Sequence, residues 1–295
     1  MRRKIYQELL QWKQRSGESA LLVQGARRVG KSYIVEAFAK AEYKSYILID
    51  FNLVDQPVKE MFEHDLVDLK TFFMKLTTYY GVKLYERESL IIFDEVQLFP
   101  RARSAIKYLV ADGRYDYIET GSLISIRENV KDILIPSEED HVDMYPLDFE
   151  EFLWANGNDT MMDFIRDCYR KKAPLGQALH RKAMDLFRQY LIVGGMPQAV
   201  NAFVKHNDFD EVDRVKRRIL NLTQVEYAIM KLFMQNPGRA LSREDILTTV
   251  WGRDYDGELK IVDVNIRRLR IKIEDDTANP VYITTVWGFG YKWGV

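Results

Sequence analysis

Cysteine is nearly absent from this sequence. Cys168 is the single cysteine among 295 residues, so an intramolecular disulfide cannot form. Stabilising disulfides are typical of secreted proteins and rare in the reducing cytoplasm. The cysteine count therefore favours a cytoplasmic protein, in which Cys168 is a small apolar side chain of a helix rather than a reactive thiol.

Long hydrophobic runs are also missing. No apolar run approaches about 18 residues, the length that predicts a transmembrane helix. The first four residues, Met-Arg-Arg-Lys, are basic, but an amphipathic helix follows them where a signal peptide would have its apolar core. Both observations favour a cytoplasmic location and predict no membrane partner.

The sequence has no excess of positive charge. It contains 43 Lys and Arg against 44 Asp and Glu, a formal net charge of −1. This balance excludes nucleic-acid binding through global charge, so such binding would need a local basic patch. A hydrophobic fraction of 47% is typical of a globular protein, and the length predicts two domains at about 150 residues each.

Short apolar runs alternate with helical stretches in the first half of the chain. The runs occupy residues 20–24, 46–50, 90–94 and 116–120. This alternation predicts an α/β domain with a mainly parallel sheet over residues 1–147. Residues 148–221 have a nearly continuous helical pattern and are predicted to form a helical lid subdomain. No Gly-, Ser- or Pro-rich linker precedes residues 222–295, the third predicted domain.

A glycine loop lies between the first predicted strand and the next helix. Residues 25–32 read Gly-Ala-Arg-Arg-Val-Gly-Lys-Ser, which is the P-loop pattern. The glycines let backbone N–H groups face a phosphate, and the helix N-terminus adds a favourable dipole. Lys31 is expected to reach the β- and γ-phosphates and Ser32 to offer its hydroxyl to Mg²⁺. The alternative is a glycine turn with a surface lysine, which the flanking strand and helix disfavour.

A buried strand over residues 90–95 ends in two acids, Asp94 and Glu95. Burying acids is costly unless they face a cation or a polar site. In P-loop enzymes the first acid helps to hold Mg²⁺, so the predicted metal ligands are Ser32 and Asp94. Glu95 is then placed to polarise the attacking water. The alternative is a strand that merely ends in solvent.

The fourth of these runs, residues 116–120, leads into a strand end that reads Thr120-Gly121-Ser122. A hydroxyl at this end could lie beside the γ-phosphate. A Ser/Gly turn that caps the next helix would explain the same residues, and both interpretations stay open at this point.

Residues 1–221 resemble a prokaryotic family of AAA-type ATPases. The resemblance rests on five motifs in order: residues 25–32, Asp94-Glu95-Val96-Gln97, Thr120-Gly121-Ser122, residues 145–152 (Tyr-Pro-Leu-Asp-Phe-Glu-Glu-Phe) and Gly194-Gly195-Met196-Pro197. It implies binding of ATP and Mg²⁺, with Ser122 as a γ-phosphate sensor. The implied catalytic residues are Lys31, Asp94, Glu95 and Ser122, and the implied cofactor-binding residues are Gly25, Ala26, Arg27, Arg28, Val29, Gly30, Lys31, Ser32 and Tyr33.

The resemblance has two gaps. Family members usually continue into a nuclease-like C-terminal domain, whereas the family pattern here stops in the helix that ends at Asn221. The resemblance also leaves the arginine finger unassigned among Arg101, Arg103 and Arg127. AAA-type ATPases often act as homo-oligomers, so the resemblance also allows contacts between subunits.

Residues 222–295 have the pattern of three helices and a hairpin. Ser242 begins the second helix as an N-cap, and the third helix spans about residues 260–273. Val262, Ile266, Leu269 and Ile273 share one side of that helix, whereas Arg267 and Arg268 point away. Such a helix suits a DNA major groove, although a solvated charged face would have the same pattern. A hairpin with a glycine turn at residues 281–293 completes a predicted small α+β winged helix-turn-helix.

The same segment resembles the OmpR/PhoB effector domain of bacterial response regulators. The resemblance rests on Leu222-Thr223, Asn236-Pro237-Gly238-Arg239, Val250-Trp251-Gly252, residues 262–270 and Gly288-Phe289-Gly290-Tyr291. It implies contacts to double-stranded DNA from Lys260, Asn265, Arg267, Arg268, Arg270 and Tyr291. Trp287 stands where the family often has a minor-groove arginine. The family's leading sheet is replaced by the helical stretch 212–220, and a phospho-accepting receiver domain is missing.

The two halves together predict an ATP-binding and ATP-hydrolysing transcription regulator with a sequence-specific DNA-binding domain. The alternative is a P-loop ATPase that carries a non-functional winged helix from a recombined or mis-joined chain. This passenger hypothesis arises because the junction at residues 220–223 removes the last domain of one family and the leading sheet of the other. It predicts that the first helix of the winged domain exposes its apolar side.

Overall fold

The computed structural model describes residues 1–15, 17–122, 139–253, 255, 257–274 and 276–294, with the backbone alone at Ser122 and Leu220. These residues divide into two compact units, Met1–Lys205 and His206–Val295. The sequence analysis places a domain boundary at residue 221 instead. Within the described residues no helix is both long and apolar enough to cross a bilayer.

The first unit is built on a five-stranded parallel sheet in the order β2-β3-β4-β1-β5. Its strands are β1 Ala20–Gly25, β2 Ser45–Asp50, β3 Ser89–Asp94, β4 Asp116–Ser122 and β5 Glu139–Met144. The predicted parallel sheet is confirmed. Strand β5 was not predicted, because its residues Glu-Asp-His-Val-Asp-Met contain no apolar run.

Helices cover both faces of this sheet. They are α1 Ile5–Gln14, α2 Lys31–Glu42, α3 Gln56–Glu60, α4 Leu69–Tyr80 and α5 Pro100–Asp112. Apolar residues of α1 and α2, such as Leu9 and Phe38, pack with Val23 on one face. Phe72 of α4 and Ile106 of α5 pack with residues of the other face. Because the sheet is buried on both faces, strands β1 and β3 contain short continuous apolar runs, Ala-Leu-Leu-Val and Leu-Ile-Ile-Phe.

Parallel register brings three chemically important strand ends to one edge of the sheet. Gly25 at the end of β1 pairs with Ser122 at the end of β4. Strand β3, which pairs with β4, ends at Asp94 at the same edge. This edge is where an open α/β sheet places its ligand site.

A helical segment follows the sheet. Its helices are α6 Phe149–Ala155, α7 Met161–Lys171, α8 Gln177–Val193 and α9 Pro197–His206. Helix α6 begins in a capping box, in which the Asp148 side chain accepts from the Glu151 amide and the Glu151 side chain accepts from the Asp148 amide. The helical character predicted for this region is therefore present.

The second unit contains the predicted winged helix. It consists of α10 Phe209–Leu220, α11 Gln224–Gln235, β6 Ala240–Ser242, α12 Arg243–Trp251, α13 Lys260–Ile273, β7 Ile283–Val286 and β8 Gly290–Trp293. The strands form an antiparallel sheet in the order β6-β8-β7. Ile229, Phe233 and Leu269 are fully buried in its core.

Helix α10 packs with the winged helix, although the sequence analysis assigns it to the lid. The Tyr227 hydroxyl of α11 donates to Asp213 Oδ1 of α10 at 2.7 Å. The Lys231 ammonium lies 3.4 Å from Asp213 Oδ2, and the Arg217 guanidinium lies over the Tyr227 ring. Asn221 ends α10 in a left-handed conformation with φ 54°, which turns the chain into α11.

Candidate functional site

The predicted P-loop connects β1 to α2. A Cβ atom at Gly25 would lie 2.2 Å from the carbonyl oxygen of Met144, so the neighbouring strand leaves no room for a side chain. Gly30 has φ +95° and is the N-cap of α2, where it supplies no side-chain acceptor. The first amides of α2 therefore lack the side-chain cap that a serine or aspartate would give. This arrangement suits an anion such as a phosphate.

Lys31 lies inside the loop. Its side chain is buried, and its ammonium donates to the carbonyl oxygens of Gly25 and Ala26, each at 3.0 Å. Burial lowers the pKa of Lys31, while the charges of Glu95 and Asp94 oppose that shift. The amine thus lies at the C-terminal end of β1, which is the position that the P-loop pattern predicts.

Asp94, at the end of β3, bonds to the first turn of α2 and to β4. Its Oδ1 atom accepts from the Ser32 hydroxyl at 2.8 Å and also from the Thr120 hydroxyl. The structure therefore brings the two predicted metal ligands, Ser32 and Asp94, together. No cluster of three or more His, Cys, Asp or Glu side chains able to hold a metal occurs in the described part of the chain. An Mg²⁺ ion at this pair would need water and phosphate oxygens for its remaining ligands, as is usual for this ion.

Glu95 follows Asp94 in a left-handed conformation with φ 53°. Its amide donates to the Thr120 hydroxyl at 3.3 Å, and its carboxylate accepts from the Gln97 side chain. Residues 120–122 are predicted from the sequence to contact the γ-phosphate. In the structure the Thr120 hydroxyl bonds to the Asp94 carboxylate and to the Glu95 amide. The side chain of Ser122 lies outside the described atoms, so its sensor role stays a prediction.

Arg3 supports the loop from the N-terminus, a role that the sequence did not reveal. Its buried guanidinium donates to the Val29 carbonyl at 3.0 Å, to the Tyr145 carbonyl at 2.6 Å and to Glu151 Oε1 at 3.1 Å. The loop backbone is thereby tied to the residues around the start of α6. The sequence feature that could have indicated this role is the Tyr-Pro-Leu-Asp-Phe-Glu-Glu motif, because Tyr145 and Glu151 of that motif are two of the acceptors.

The three candidates for an arginine finger differ in their placement. Arg103 is buried and bonds Glu139 at 3.1 Å, so it is not available to reach another subunit. Arg101 is exposed, with its Nε atom 3.4 Å from the Phe62 carbonyl. Arg127 lies outside the described residues. Arg103 is therefore withdrawn as a candidate.

A cavity of about 450 Å³ lies beside the loop. Tyr33, a predicted cofactor residue, lines it with Gly30 and Pro197 of the Gly-Gly-Met-Pro motif. Its other lining residues are Met1, Arg3, Arg28, Ile34, Met144, Leu147, Gln198 and Asn201. A largely apolar cavity next to a phosphate loop suits a flat nucleobase, because base rings bury apolar area.

In the second unit, α13 has the predicted two-sided character. Val262, Ile266 and Leu269 are buried. Lys260, Arg267 and Arg268 are exposed, as contacts to DNA require. These three cations are the outward-facing members of the predicted DNA-binding set.

The other three predicted DNA contacts are engaged inside the unit. Asn265 is buried and donates to the Ile261 carbonyl at 2.8 Å. Arg270 donates to the Ile283 carbonyl at 2.6 Å and to the Thr285 hydroxyl at 2.9 Å. Tyr291 is only 6% exposed. Their placement does not support direct DNA contact, because Arg270 and Tyr291 are bonded between the wing and α13 and Asn265 is bonded within α13. A sequence motif gives the position of each residue in the chain but does not show these bonds.

Asp263 links the wing to the helices. Its Oδ1 atom accepts from the Tyr291 hydroxyl at 2.5 Å and from Arg243 Nε at 2.8 Å. The Arg243 guanidinium also lies 5.0 Å from the centre of the Tyr291 ring. Burial and the Asp263 carboxylate raise the pKa of Tyr291. This network fixes β8 against α12 and α13, and the sequence analysis did not identify it.

Lys272 ties the end of α13 to the start of α11. Its ammonium lies 2.6 Å from Glu226 Oε2 and 3.0 Å from the Asn221 carbonyl. Glu226 is 1% exposed and forms a capping box with Thr223. Burial would raise the pKa of Glu226, but hydrogen bonds from Lys272 and Thr223 hold it below its ordinary value.

In the comparison with known proteins, one family model matches each part of the chain. Residues 17–153 match the model of the AAA domain family, and residues 216–293 match the family described as transcriptional regulatory protein, C terminal. An uncharacterised transcriptional regulatory protein of Bacillus subtilis, YcbL, is 43% identical over 88 residues, which are 30% of this chain and 39% of that protein. The chain spans less than two-thirds of the length of the curated relatives it matches.

Two solved structures among those that match are the following. The DNA-binding domain of Bacillus subtilis CssR is 42% identical, with 25% of this chain and 78% of that chain covered at a TM-score of 0.23. The Walker-type ATPase PABY2304 of Pyrococcus abyssi is 14% identical, with 100% of this chain and 93% of that chain covered at a TM-score of 0.44.

The Lys272–Glu226 pair generates a prediction about stability. Lys272→Met leaves a buried carboxylate without its cation, so we expect a loss of about 1–3 kcal/mol in the second unit at pH 7. The lowered pKa of Glu226 means that this pair stabilises the fold above the ordinary carboxyl pKa and that its contribution is lost as the pH falls through the lowered value. The difference in unfolding free energy between Lys272→Met and the parent should therefore become smaller at acidic pH.

Hydrogen exchange of the α11 amides measures this effect, after correction for the intrinsic exchange rate at each pH. Lys260→Met is the matched control, because it removes an exposed cation from the same helix. A difference that stays constant between pH 7 and pH 3 would contradict the assigned role of Glu226.

Proposed function

We propose that this chain, which matches the AAA domain family over residues 17–153 and the C-terminal domain family of transcriptional regulatory proteins over residues 216–293, is an ATP-binding and ATP-hydrolysing transcription regulator. The observation that carries the nucleotide part is the joining of Ser32, Asp94 and Thr120 beside a P-loop that contains the Lys31 ammonium. A surface glycine turn would not need this arrangement.

In the proposed nucleotide site each residue has a distinct role. The loop amides and Lys31 bind the phosphates, and the cavity lined by Tyr33 and Pro197 receives the base. Ser32 and Asp94 hold Mg²⁺, which when bound neutralises charge on the phosphate oxygens. Glu95 orients the attacking water and accepts its proton. Thr120 positions both acids through its hydroxyl.

In the proposed DNA interface, α13 enters the major groove. Lys260, Arg267 and Arg268 face outward and pair with phosphates or base edges. Because the whole chain has a net charge of −1, this local cluster supplies the attraction to DNA. Sequence-specific recognition then depends on which of these side chains reach the bases.

The passenger alternative is not favoured by the second unit. It requires α11 to expose its apolar side, yet Ile229 and Phe233 are fully buried. Leu222 is also in the same core, and Tyr227 is bonded to Asp213 of α10. A helix from outside the winged-helix pattern thus contacts α11, where the related family has its leading sheet.

Replacing Lys31 tests the nucleotide site. Lys31→Ala removes charged hydrogen bonds to the phosphates, which are worth about 1.5–3 kcal/mol, so ATP affinity should fall roughly ten- to a hundredfold. Isothermal titration with Mg²⁺-ATP measures the change. Lys40→Ala, on the same helix but with an exposed side chain, should bind ATP like the parent. Equal affinities of all three proteins would refute the P-loop assignment.

Replacing Arg267 and Arg268 tests the DNA interface. The double alanine variant should bind duplex DNA more weakly, and the slope of log affinity against log salt should become shallower by about 2 if both contact phosphates. Fluorescence anisotropy of a labelled duplex gives both quantities. Arg181→Ala with Lys182→Ala removes two exposed cations of α8 and should leave the slope unchanged. If the parent shows no salt-sensitive DNA binding, the regulator proposal fails.

A further inference from the structure

A buried cluster of three charged side chains lies on the face of the sheet that α5 covers. Its members are Arg103 of α5, Glu119 of β4 and Glu139 of β5, whose side chains are at most 5% exposed. The Arg103 Nη2 atom donates to both carboxylate oxygens of Glu139, at 3.1 and 3.3 Å. Glu119 is farther away, with its Oε2 atom 4.0 Å from Arg103 Nε. The guanidinium is therefore bonded to Glu139 and leaves Glu119 without a hydrogen bond from it.

Glu119 is fully buried between apolar neighbours. Its exposed fraction is 0%, and among the residues that the structure describes neither of its carboxyl oxygens accepts a hydrogen bond. Its register partners on the neighbouring strands are the buried residues Leu22 of β1 and Phe93 of β3. A carboxylate ion at such a position is strongly destabilised, whereas a neutral carboxyl group is buried at much lower cost.

The charges around Glu119 do not balance two ionised glutamates. Arg103 faces Glu119 from α5, Glu139 faces it from β5, and the exposed His141 of β5 acts on Glu139. With both glutamates ionised, the buried cluster has one more negative charge than positive. Burial and the charge of Glu139 raise the pKa of Glu119 well above its ordinary value, although Arg103 opposes this shift. One bound proton removes the excess charge.

The cluster adjoins the strand end that bonds the two acids of the nucleotide site. Thr120 follows Glu119 in β4, so its side chain points to the opposite face of the sheet. There its hydroxyl bonds the Asp94 carboxylate and the Glu95 amide. Arg103 lies in α5, the α-helix that follows Glu95 in the chain. The cluster therefore connects the segment that carries Thr120 to the segment that follows the acids.

We propose that Glu119 is a positioning residue of the nucleotide site, which holds the end of β4 in place for ATP only while the Glu119–Glu139 pair carries a proton. This inference rests on the proposed ATP binding of the first unit. An ionised Glu119 needs water, which can reach it only if β4 and α5 separate, and this separation would move Thr120 away from the acids that it bonds. The contribution of the proton is complete below the ordinary carboxyl pKa and is lost as the pH rises through the raised pKa of Glu119.

Infrared spectroscopy of the full chain tests for the proton directly. At pH 6, well above the ordinary glutamate pKa of about 4.3, the parent should show the carbonyl stretch of a protonated, buried carboxyl group. Glu119→Gln should lose this band. Glu139→Gln should also lose it, because Arg103 can then pair with the remaining carboxylate. Glu8→Gln is the matched control, because it removes an exposed carboxyl group of α1 and should keep the band.

Isothermal titration with Mg²⁺-ATP tests the positioning role. The apparent dissociation constant rises as the fraction of molecules with an intact site falls, so the ratio of this constant in the parent to that in Glu119→Gln should increase roughly threefold or more between pH 6 and pH 9. The titrations of Lys31 and of ATP cancel in this ratio, because both proteins share them. Circular dichroism at each pH confirms that each protein is folded, and Glu139→Gln replaces Glu119→Gln in the ratio if the latter is not.

The outcomes distinguish this inference from the proposed function. If ATP binds but the band is missing from the parent or persists in Glu119→Gln, the inference is overturned and the proposed function stands. A ratio that does not change with pH also overturns the inference, because the proton then has no effect on the nucleotide site. If none of the proteins binds ATP at any pH, both proposals fail.

Discussion

A carboxylate that leaves water must find hydrogen-bond donors, and this requirement organises both units. In the first unit one such carboxylate is Asp94, which is satisfied by Ser32 from α2 and Thr120 from β4. Parallel pairing of β3 with β4 brings these donors to one sheet edge. The P-loop, the acids and the adjoining cavity therefore depend on the same strand register. A slip of one residue would send each side chain to the opposite face.

In the second unit Glu226 is such a buried carboxylate, and the partly exposed Asp263 makes a second set of bonds. Asp263 holds Arg243 and Tyr291, while Glu226 holds Lys272 at the start of α11. Side chains such as Tyr291 and Lys272 are therefore bonded inside the unit, although the sequence pattern alone would allow them to contact DNA. The recognition helix is thus divided between groups that fix its position and groups that face outward. Lys260, Arg267 and Arg268 form the outward set.

The sequence predicted those features that depend on local pattern. Apolar runs, glycine positions and helical periodicity were sufficient to predict the parallel sheet, the P-loop and the winged helix. Strand β5 was missed because a short strand rich in acids has no apolar signature. Thr120, Asp263 and Arg3 acquire their roles only from tertiary neighbours. Arg270 and Tyr291 show the converse, because a motif gives a residue its position without showing which group bonds to it in the folded chain.

Helix α10 bears directly on the choice between regulator and passenger. By sequence it continues the ATPase pattern, whereas its Asp213 accepts from Tyr227 and pairs with Lys231 in the compact second unit. Its last turn leads into Asn221, whose carbonyl accepts from Lys272 of the recognition helix. Helix α10 is therefore bonded to α11 and, at its C-terminal end, to α13, within the second unit.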